Sequence, residues 1–165
     1  MGASCSNPPK VKDEPKEAIK DMKRQLKAKK EEIELIIKKK DKEVQQNKEL
    51  ALFYLKNGNE HDAKNQIKDK QYKQEEMKIL HSQIDILNDE LNKLENCDVN
   101  EDIEFLSKSI KKTIYQVNIQ IGVRDMETEI KKMVENKKGE NGENPDVLEE
   151  LKQLQEEIKN NHNPK

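Results

Sequence analysis

The six residues "KNGNEH" at positions 56–61 separate two long charged segments and decide how the chain folds. Asn57 and Gly58 favour the end of a helix, because glycine readily adopts the left-handed conformation that terminates one. Asn59 has a side-chain oxygen suited to capping the first turn of a following helix. Two helices of similar length joined by so short a turn are predicted to pack side by side as an antiparallel hairpin.

The segments on both sides of this turn carry apolar residues at helical spacing. The first helix is predicted over roughly 15–56, and its apolar positions are Ile19, Met22, Leu26, Ile33, Ile36, Ile37, Val44, Ala51, Leu52 and Leu55. The second is predicted over about 60–95, with Ala63, Met77, Ile84 and Leu91 in one heptad series and Leu80, Leu87 and Leu94 in the other. Helices this long and this polar need a packing partner, and each can serve as the partner of the other.

The chain after the predicted hairpin holds shorter helices. Asn100 is expected to cap a third helix whose apolar residues begin at Ile103, and a fourth helical segment is expected over 123–137. A polar linker follows, after which Asn144 and Pro145 start a short amphipathic helix. The predicted fold class is all-α, a long antiparallel helical hairpin with two to three shorter C-terminal helices.

Three regions therefore follow one another along the chain. Residues 1–14 are expected to form a flexible N-terminus that is acylated. Residues 15–137 are expected to form the helical core, which comprises the hairpin over 15–95 and the short helices over 101–137. Residues 138–165 are expected to form a flexible linker and an acidic terminal helix.

Composition and charge restrict the function of the chain. Charged residues make up 40% of the 165 residues and hydrophobic residues only 32%. The segment 10–48 holds fourteen basic against nine acidic residues, whereas 140–165 holds three basic against seven acidic. The basic segment favours an anionic membrane surface over nucleic acid, because acidic residues are interspersed and no stacking aromatics accompany the lysines. No apolar run reaches the length of a membrane span, and the start lacks the apolar core of a signal peptide.

The N-terminal sequence "MGASCSNPP", residues 1–9, matches a lipidation signal. N-myristoylation requires a glycine after the initiator methionine and a small hydroxyl residue four positions later, and Gly2 and Ser6 satisfy both requirements. One myristoyl chain binds membranes only weakly, so a second signal is expected. S-palmitoylation of Cys5 is one candidate, and an idle exposed thiol is the alternative. Cys5 and Cys97 do not make a disulfide framework, so a reducing, cytoplasmic compartment fits.

Basic residues on the first helix are the other candidate for the second membrane signal. Those nearest the lipidation signal are predicted to bind anionic headgroups: Lys16, Lys20, Lys23, Arg24, Lys27, Lys29 and Lys30. A lysine close to an anionic surface contributes about 1 kcal/mol to binding. The alternative interpretation, that this is only the solvated outside of a coiled coil, stays open.

The acidic terminal helix carries an apolar face formed by Val147, Leu148, Leu151 and Leu154. A helix this short needs packing to persist, so we expect it to fold back onto the hairpin with its acids near the basic helix. Folded back, it would hold the subunit closed and autoinhibited; released, the same face would bind a partner. A frayed appendage with neither role is the third alternative.

The sequence contains no pattern of catalytic or metal-ligating residues. His61, His81 and His162 are scattered, no Cys/His spacing is typical of a metal site, and the glycines lack the spacing of a phosphate loop. We therefore expect neither an enzyme nor a bound cofactor or metal.

Two further stretches and the order of the helices resemble a known family. "KELALFYLKNGNEHDAKNQIKDKQY", residues 48–72, resembles the hairpin tip of the ESCRT-III (charged multivesicular body protein) family, and "PDVLEELKQL", residues 145–154, resembles its acidic terminal helix. The N-terminal "MG" before a basic first helix is most similar to the family's myristoylated branch, the charged multivesicular body protein 6 type. The resemblance covers roughly residues 11–158. The chain departs from that branch at the tip, where Glu60 and Asp62 stand in place of strongly basic positions.

The resemblance implies a membrane-associated subunit that assembles with other ESCRT-III subunits into filaments for endosomal sorting, multivesicular body formation and membrane remodelling. It also implies a peripheral location on endosomal membranes, binding of the upstream ESCRT-II complex to the first helix, and a disassembly ATPase as a candidate partner of the terminal helix. No arginine accompanies the apolar residues of that helix, so binding to a microtubule-interacting-and-transport domain stays open. The alternative is an acylated coiled-coil scaffold unrelated to this family, dimerising through the second helix.

Overall fold

The computed structural model of the chain describes residues 14–97, 102–121, 130 and 143–162. Every regular element in these residues is an α-helix, which confirms the predicted all-helical class. The helices are α1 (Glu14–Lys56), α2 (Glu60–Glu95), α3 (Ile103–Ile121) and α4 (Pro145–His162). The predicted fourth segment, 123–137, lies outside the described residues except for Ile130.

The turn between α1 and α2 forms as its residues predict. Gly58 has a φ of +75°, the left-handed conformation that ends a helix. The backbone N–H of Gly58 donates to the carbonyl of Leu55 at 3.1 Å, and that of Asn59 donates to the carbonyl of Tyr54 at 2.8 Å. The Asn59 side chain accepts from the backbone N–H of Asp62 at 3.2 Å, so the predicted cap of α2 is confirmed.

α1 and α2 contact each other in antiparallel order, and an apolar cluster holds them together at the end away from the turn. This open end buries Met22, Leu26 and Ile33 of α1, Leu80, Leu87, Leu91 and Leu94 of α2, and Ile110 and Val117 of α3. Each large apolar side chain that is fully buried stabilises the fold by about 1.5–3 kcal/mol. Most of the stability of the described helices therefore comes from this end.

The middle of the α1–α2 contact is polar instead of apolar. Asn47 is 6% exposed, donates to Gln66 Oε1 at 2.8 Å and accepts from Lys73 Nζ at 2.8 Å. Lys40 and Glu76 form a further ion pair across the two helices. Because no apolar residue of α1 between Ile33 and Ala51 is fully buried, this polar layer separates the open end from the turn end.

α3 packs on the open end. Asp102 accepts hydrogen bonds from the backbone N–H groups of Glu104 at 3.1 Å and Phe105 at 3.3 Å, so it caps the helix. The expectation that Asn100 caps α3 is therefore wrong, since α3 begins at Ile103 and the cap must directly precede it.

Two other positions extend the packing on the hairpin. Ile130 is 1% exposed and contacts Tyr72 and Ile79 of α2. Asn144 accepts from the backbone N–H of Asp146 at 3.0 Å, which confirms its predicted role as the cap of α4. Pro145 follows as the first residue of that helix, where its missing N–H has no bond to lose.

Candidate functional site

Four lysines of α1 form one line on the surface. Lys16, Lys20, Lys23 and Lys27 follow one another at intervals of four, three and four residues, which places them on one face of the helix. Lys23 is half-buried and the other three are exposed. None of the four is ion-paired to a residue that the structure describes. At about 1.5 Å of rise per residue the line is roughly 16 Å long, and we call these four residues the lysine stripe.

The other predicted membrane-binding residues contact acidic neighbours on the same helix. The pairs are Arg24–Asp21 at 3.6 Å, Lys29–Glu32 at 2.9 Å and Lys30–Glu34 at 3.9 Å. The Lys29 side chain is only 13% exposed and is the least able to reach a headgroup. Arg24 is well exposed, and exposed pairs contribute under about 1 kcal/mol, so it can exchange Asp21 for a phosphate. The seven predicted residues are therefore not equivalent.

The predicted lipidation sites, Gly2 and Cys5, lie outside the described residues. Their relation to the lysine stripe follows from chain length alone. Gly2 and Lys16 are fourteen positions apart, and a chain of that length spans at most about 50 Å when fully extended. An acyl chain on Gly2 and the lysine stripe can therefore contact the same patch of membrane.

α4 lies against the turn end of the hairpin. Its apolar residues pack in one cluster with both long helices, formed by Val147, Leu151, Leu154, Ala51, Ala63 and Ile67. Ala51 and Ala63 are fully buried, and their small side chains leave room for the larger apolar residues of α4. Leu148 is half-buried and does not belong to this cluster, so three of the four predicted residues form the docking face.

Acidic side chains of α4 meet basic side chains of the hairpin around this cluster. Glu150 accepts from the Lys70 ammonium and, at 3.1 Å, from Gln71 Nε2. The Glu150 and Lys70 side chains are 17% and 15% exposed, which makes this the best shielded ion pair of α4. A more exposed pair of α4 is Lys48–Glu157 at 3.9 Å, and Glu143, just before the helix, pairs with Lys64 at 3.5 Å. The docked position of α4 is thus set by apolar packing together with charge.

The α4 docking site and the lysine stripe lie at opposite ends of α1. Lys27 and Lys48 are 21 residues apart, which corresponds to about 31 Å along the helix. Lys48 is the only α1 lysine paired with α4 in the described residues. The expectation that the acids of α4 lie near the basic residues of α1 is therefore met only at Lys48. Docked α4 therefore leaves the lysine stripe uncovered.

Sequence reasoning missed the polar residues of α2 that bind α4, namely Lys70 and Gln71, and Lys64, which pairs with Glu143 just before that helix. One signal could have indicated them. Ala51 and Ala63 occupy apolar positions on either side of the turn, and small residues at such positions allow a third helix to pack closely. That signal does not identify which later segment packs there.

Among the described helices, none combines the length and the hydropathy that a membrane span requires. The described ranges also contain no group of three or more His, Cys, Asp or Glu side chains placed to hold a metal ion. His61, His81 and His162 are exposed at separate positions.

Comparisons of the chain with protein-family models, with curated proteins and with solved structures find no match. Its function must therefore be inferred from the lysine stripe, from the α4 docking site and from the sequence resemblance.

Proposed function

We propose that this chain is a peripheral membrane subunit of the ESCRT-III type, held on endosomal membranes by an acylated N-terminus and by the lysine stripe. On the membrane it assembles with other ESCRT-III subunits into filaments for endosomal sorting, multivesicular body formation and membrane remodelling. The proposed architecture is the one that the resemblance implies, a long antiparallel hairpin followed by shorter C-terminal helices. In this role the chain binds and assembles, and it makes or breaks no bond.

The lysine stripe is the observation that carries the proposal. At about 1 kcal/mol for each lysine near an anionic surface, four lysines contribute about 4 kcal/mol, or roughly a thousandfold in affinity. A myristoyl chain alone gives an association constant of only about 10⁴ M⁻¹, which is marginal. The two signals together give stable attachment because they reach the same membrane patch.

We propose that docked α4 is the closed state of the subunit. Docking covers Ala51, Ala63 and Ile67 at the turn end, and release of α4 would free that surface for lateral packing with another subunit. Because the lysine stripe is uncovered in the docked state, membrane binding does not need release, and the surface that release frees adds a lateral contact to the assembly. A disassembly ATPase, as a candidate partner, would take only the released helix, since Leu151 and Leu154 are buried when it is docked.

Vesicle binding of the myristoylated chain tests the role of the lysine stripe. Replacing Lys20, Lys23 and Lys27 with glutamine removes about 3 kcal/mol and should weaken binding to phosphatidylserine vesicles about 100-fold. The control variant replaces Lys38, Lys39 and Lys42, three exposed lysines of the same helix, with glutamine and should lose far less. Equal losses of vesicle affinity in the two variants would show that the total charge of α1 matters and that the position of the lysine stripe does not. Gly2→Ala should independently move the chain off the vesicles.

Electron microscopy separates the ESCRT-III proposal from the alternative of an acylated scaffold. Without residues 140–165, a subunit of the ESCRT-III type should form filaments on anionic vesicles. A scaffold that dimerises through α2 should give an oligomer whose size is the same with and without residues 140–165. Leu80 and Leu87 are fully buried against the chain's own helices, which counts against dimerisation through these residues of α2.

A further inference from the structure

The outward side of α3 combines exposed apolar side chains with lysines. It consists of Phe105, Lys108, Lys112, Tyr115 and Ile119, which recur every three or four residues and which we call the α3 face. Phe105, Tyr115 and Ile119 are 68%, 64% and 48% exposed. The opposite side of the helix carries Ile110 and Val117, both buried in the open-end cluster. The α3 face therefore points away from the hairpin, and no described residue covers it.

Lys108 and Lys112 make the α3 face positive. Lys108 Nζ lies 3.2 Å from Glu104 Oε1, but the two side chains are 75% and 79% exposed. Such an exposed pair is weak and exchanges readily for another acid. Lys112 is exposed and has no ion-pair partner in the described ranges. Both lysines are available to acids on another molecule.

The outer edge of α2 carries acids with the same spacing. Asp85 and Asp89 are exposed, and neither is ion-paired to any residue that the structure describes. Ile86, which lies between them in sequence, is 41% exposed. Both acids stand two positions from Leu87, which is fully buried, so they lie on the side of α2 that faces away from the hairpin core. We call Asp85, Ile86 and Asp89 the α2 edge.

We propose that the α3 face of one copy of this chain binds the α2 edge of a second copy. Lys108 and Lys112 are four residues apart, and so are Asp85 and Asp89. The Cβ atoms within each of these two sets therefore lie about 6 Å apart, and the two lysines of one copy can meet the two aspartates of the other in register. Ile86 then contacts the apolar residues that flank the lysines. Within one copy, the α3 face and the α2 edge both point away from the open-end cluster and do not meet. The acids that pair with Lys108 and Lys112 must therefore come from another molecule.

This contact joins two different surfaces and is therefore heterologous. A copy bound through its α3 face still presents a free α2 edge, so further copies can add and the assembly stays open. The inference rests on the proposed function, for which it supplies a contact between subunits in a filament. Neither surface includes the lysine stripe or α4, so membrane binding and α4 docking remain available in the assembly.

Charge reversal on the full chain tests the contact. One variant carries Lys108→Glu and Lys112→Glu, and a second carries Asp85→Lys and Asp89→Lys. Assembly is measured by sedimentation velocity in solution and by electron microscopy on phosphatidylserine vesicles. Each variant alone presents like charges at the contact and should raise the protein concentration needed for assembly at least about tenfold. An equal mixture of the two, and one chain with all four substitutions, should restore assembly, because every contact again joins opposite charges.

Restoration by the mixture also shows that both variants are folded. The inference is overturned if the wild-type chain stays monomeric both in solution and on vesicles, if the reversed variants assemble normally, or if the mixture fails to restore assembly. Loss of vesicle binding in the Lys108→Glu, Lys112→Glu variant without restoration would mean that the α3 face binds lipid instead. Failure of the lysine-stripe variants to lose vesicle binding would count against the membrane function alone, since assembly in solution does not involve that stripe.

Discussion

Replacing Leu154 with alanine should release α4 from the turn end while the open end stays folded. Leu154 is 4% exposed and lies in the cluster with Ala51, Ala63 and Ile67. Within the described residues, α4 contacts the hairpin through this cluster, through ion pairs and through the hydrogen bond from Gln71 to Glu150. One leucine therefore supplies a large share of the free energy of docking.

The size of the effect follows from the burial of the side chain. A buried leucine replaced by alanine costs about 2–5 kcal/mol, and the lower part of that range applies where the surroundings can relax. The α4 site lies at the surface of the hairpin, so we expect a loss of about 2–3 kcal/mol. The ratio of docked to released α4 should then fall about 30- to 150-fold. Leu148→Ala is the control, because Leu148 is half-buried outside the cluster and should cost under about 1 kcal/mol.

Native-state amide hydrogen exchange measures this ratio directly. Amides of α4 exchange when the helix undocks, so their protection in Leu154→Ala should fall by about the factor given for docking. Amides of residues 80–94, which pack in the open-end cluster, should keep the protection of the wild-type chain. If the α4 amides of Leu154→Ala exchange as slowly as those of the wild-type chain, the expected loss of docking free energy is refuted. An equal loss of protection in residues 80–94 would show that the chain opens as one unit.

Substitutions at three further positions test the local structure by urea denaturation and gel filtration. Gly58→Ala should cost about 1–2 kcal/mol of stability, because the added Cβ meets no atom within 4 Å but the φ of +75° is strained for alanine; an unchanged midpoint would contradict this. Asp102→Ala should lower stability by about 1 kcal/mol through loss of the α3 cap, whereas Asp102→Asn should keep most of the stabilisation that the cap provides. Asn47→Leu should change stability by less than about 1 kcal/mol but yield larger oligomers, because a buried amide that bonds Gln66 and Lys73 helps to fix the pairing of α1 with α2; elution as wild type would argue against that role.

Features set by neighbouring residues could be predicted from the sequence. The turn at Gly58, its cap Asn59 and the cap Asn144 depend on bonds that span no more than five residues, so local chemistry determines them. Asn100 and Asp102 are both good caps, so the sequence alone predicts the start of α3 only to within two residues, and Asp102 is the cap that the structure shows.

Features that depend on distant residues could not be predicted in the same way. The amphipathic pattern of α4 shows which of its residues become buried but not the surface that buries them. The lysines of α1 illustrate a second limit. Lys20 and Lys27 have the acids Glu17 and Glu31 within helical reach and do not pair with them, whereas Lys29 does pair with Glu32. Exposed pairs differ by only a few tenths of a kcal/mol, so spacing permits an ion pair without deciding it.

The polar layer in the middle of the α1–α2 contact lies between the two candidate sites. The lysine stripe lies on the part of α1 that is fixed by the open-end cluster, whereas α4 docks beyond the polar layer. Release of α4 removes contacts from Ala51, Ala63 and Ile67 and none from the residues that hold the stripe. Two sites are coupled only if one changes the free energy of the other, and here no described contact links them. The affinity of the chain for vesicles should therefore be nearly the same with α4 docked or released. Any increase in membrane-bound protein on release would have to come from assembly. That increase should vanish when the protein is too dilute to assemble.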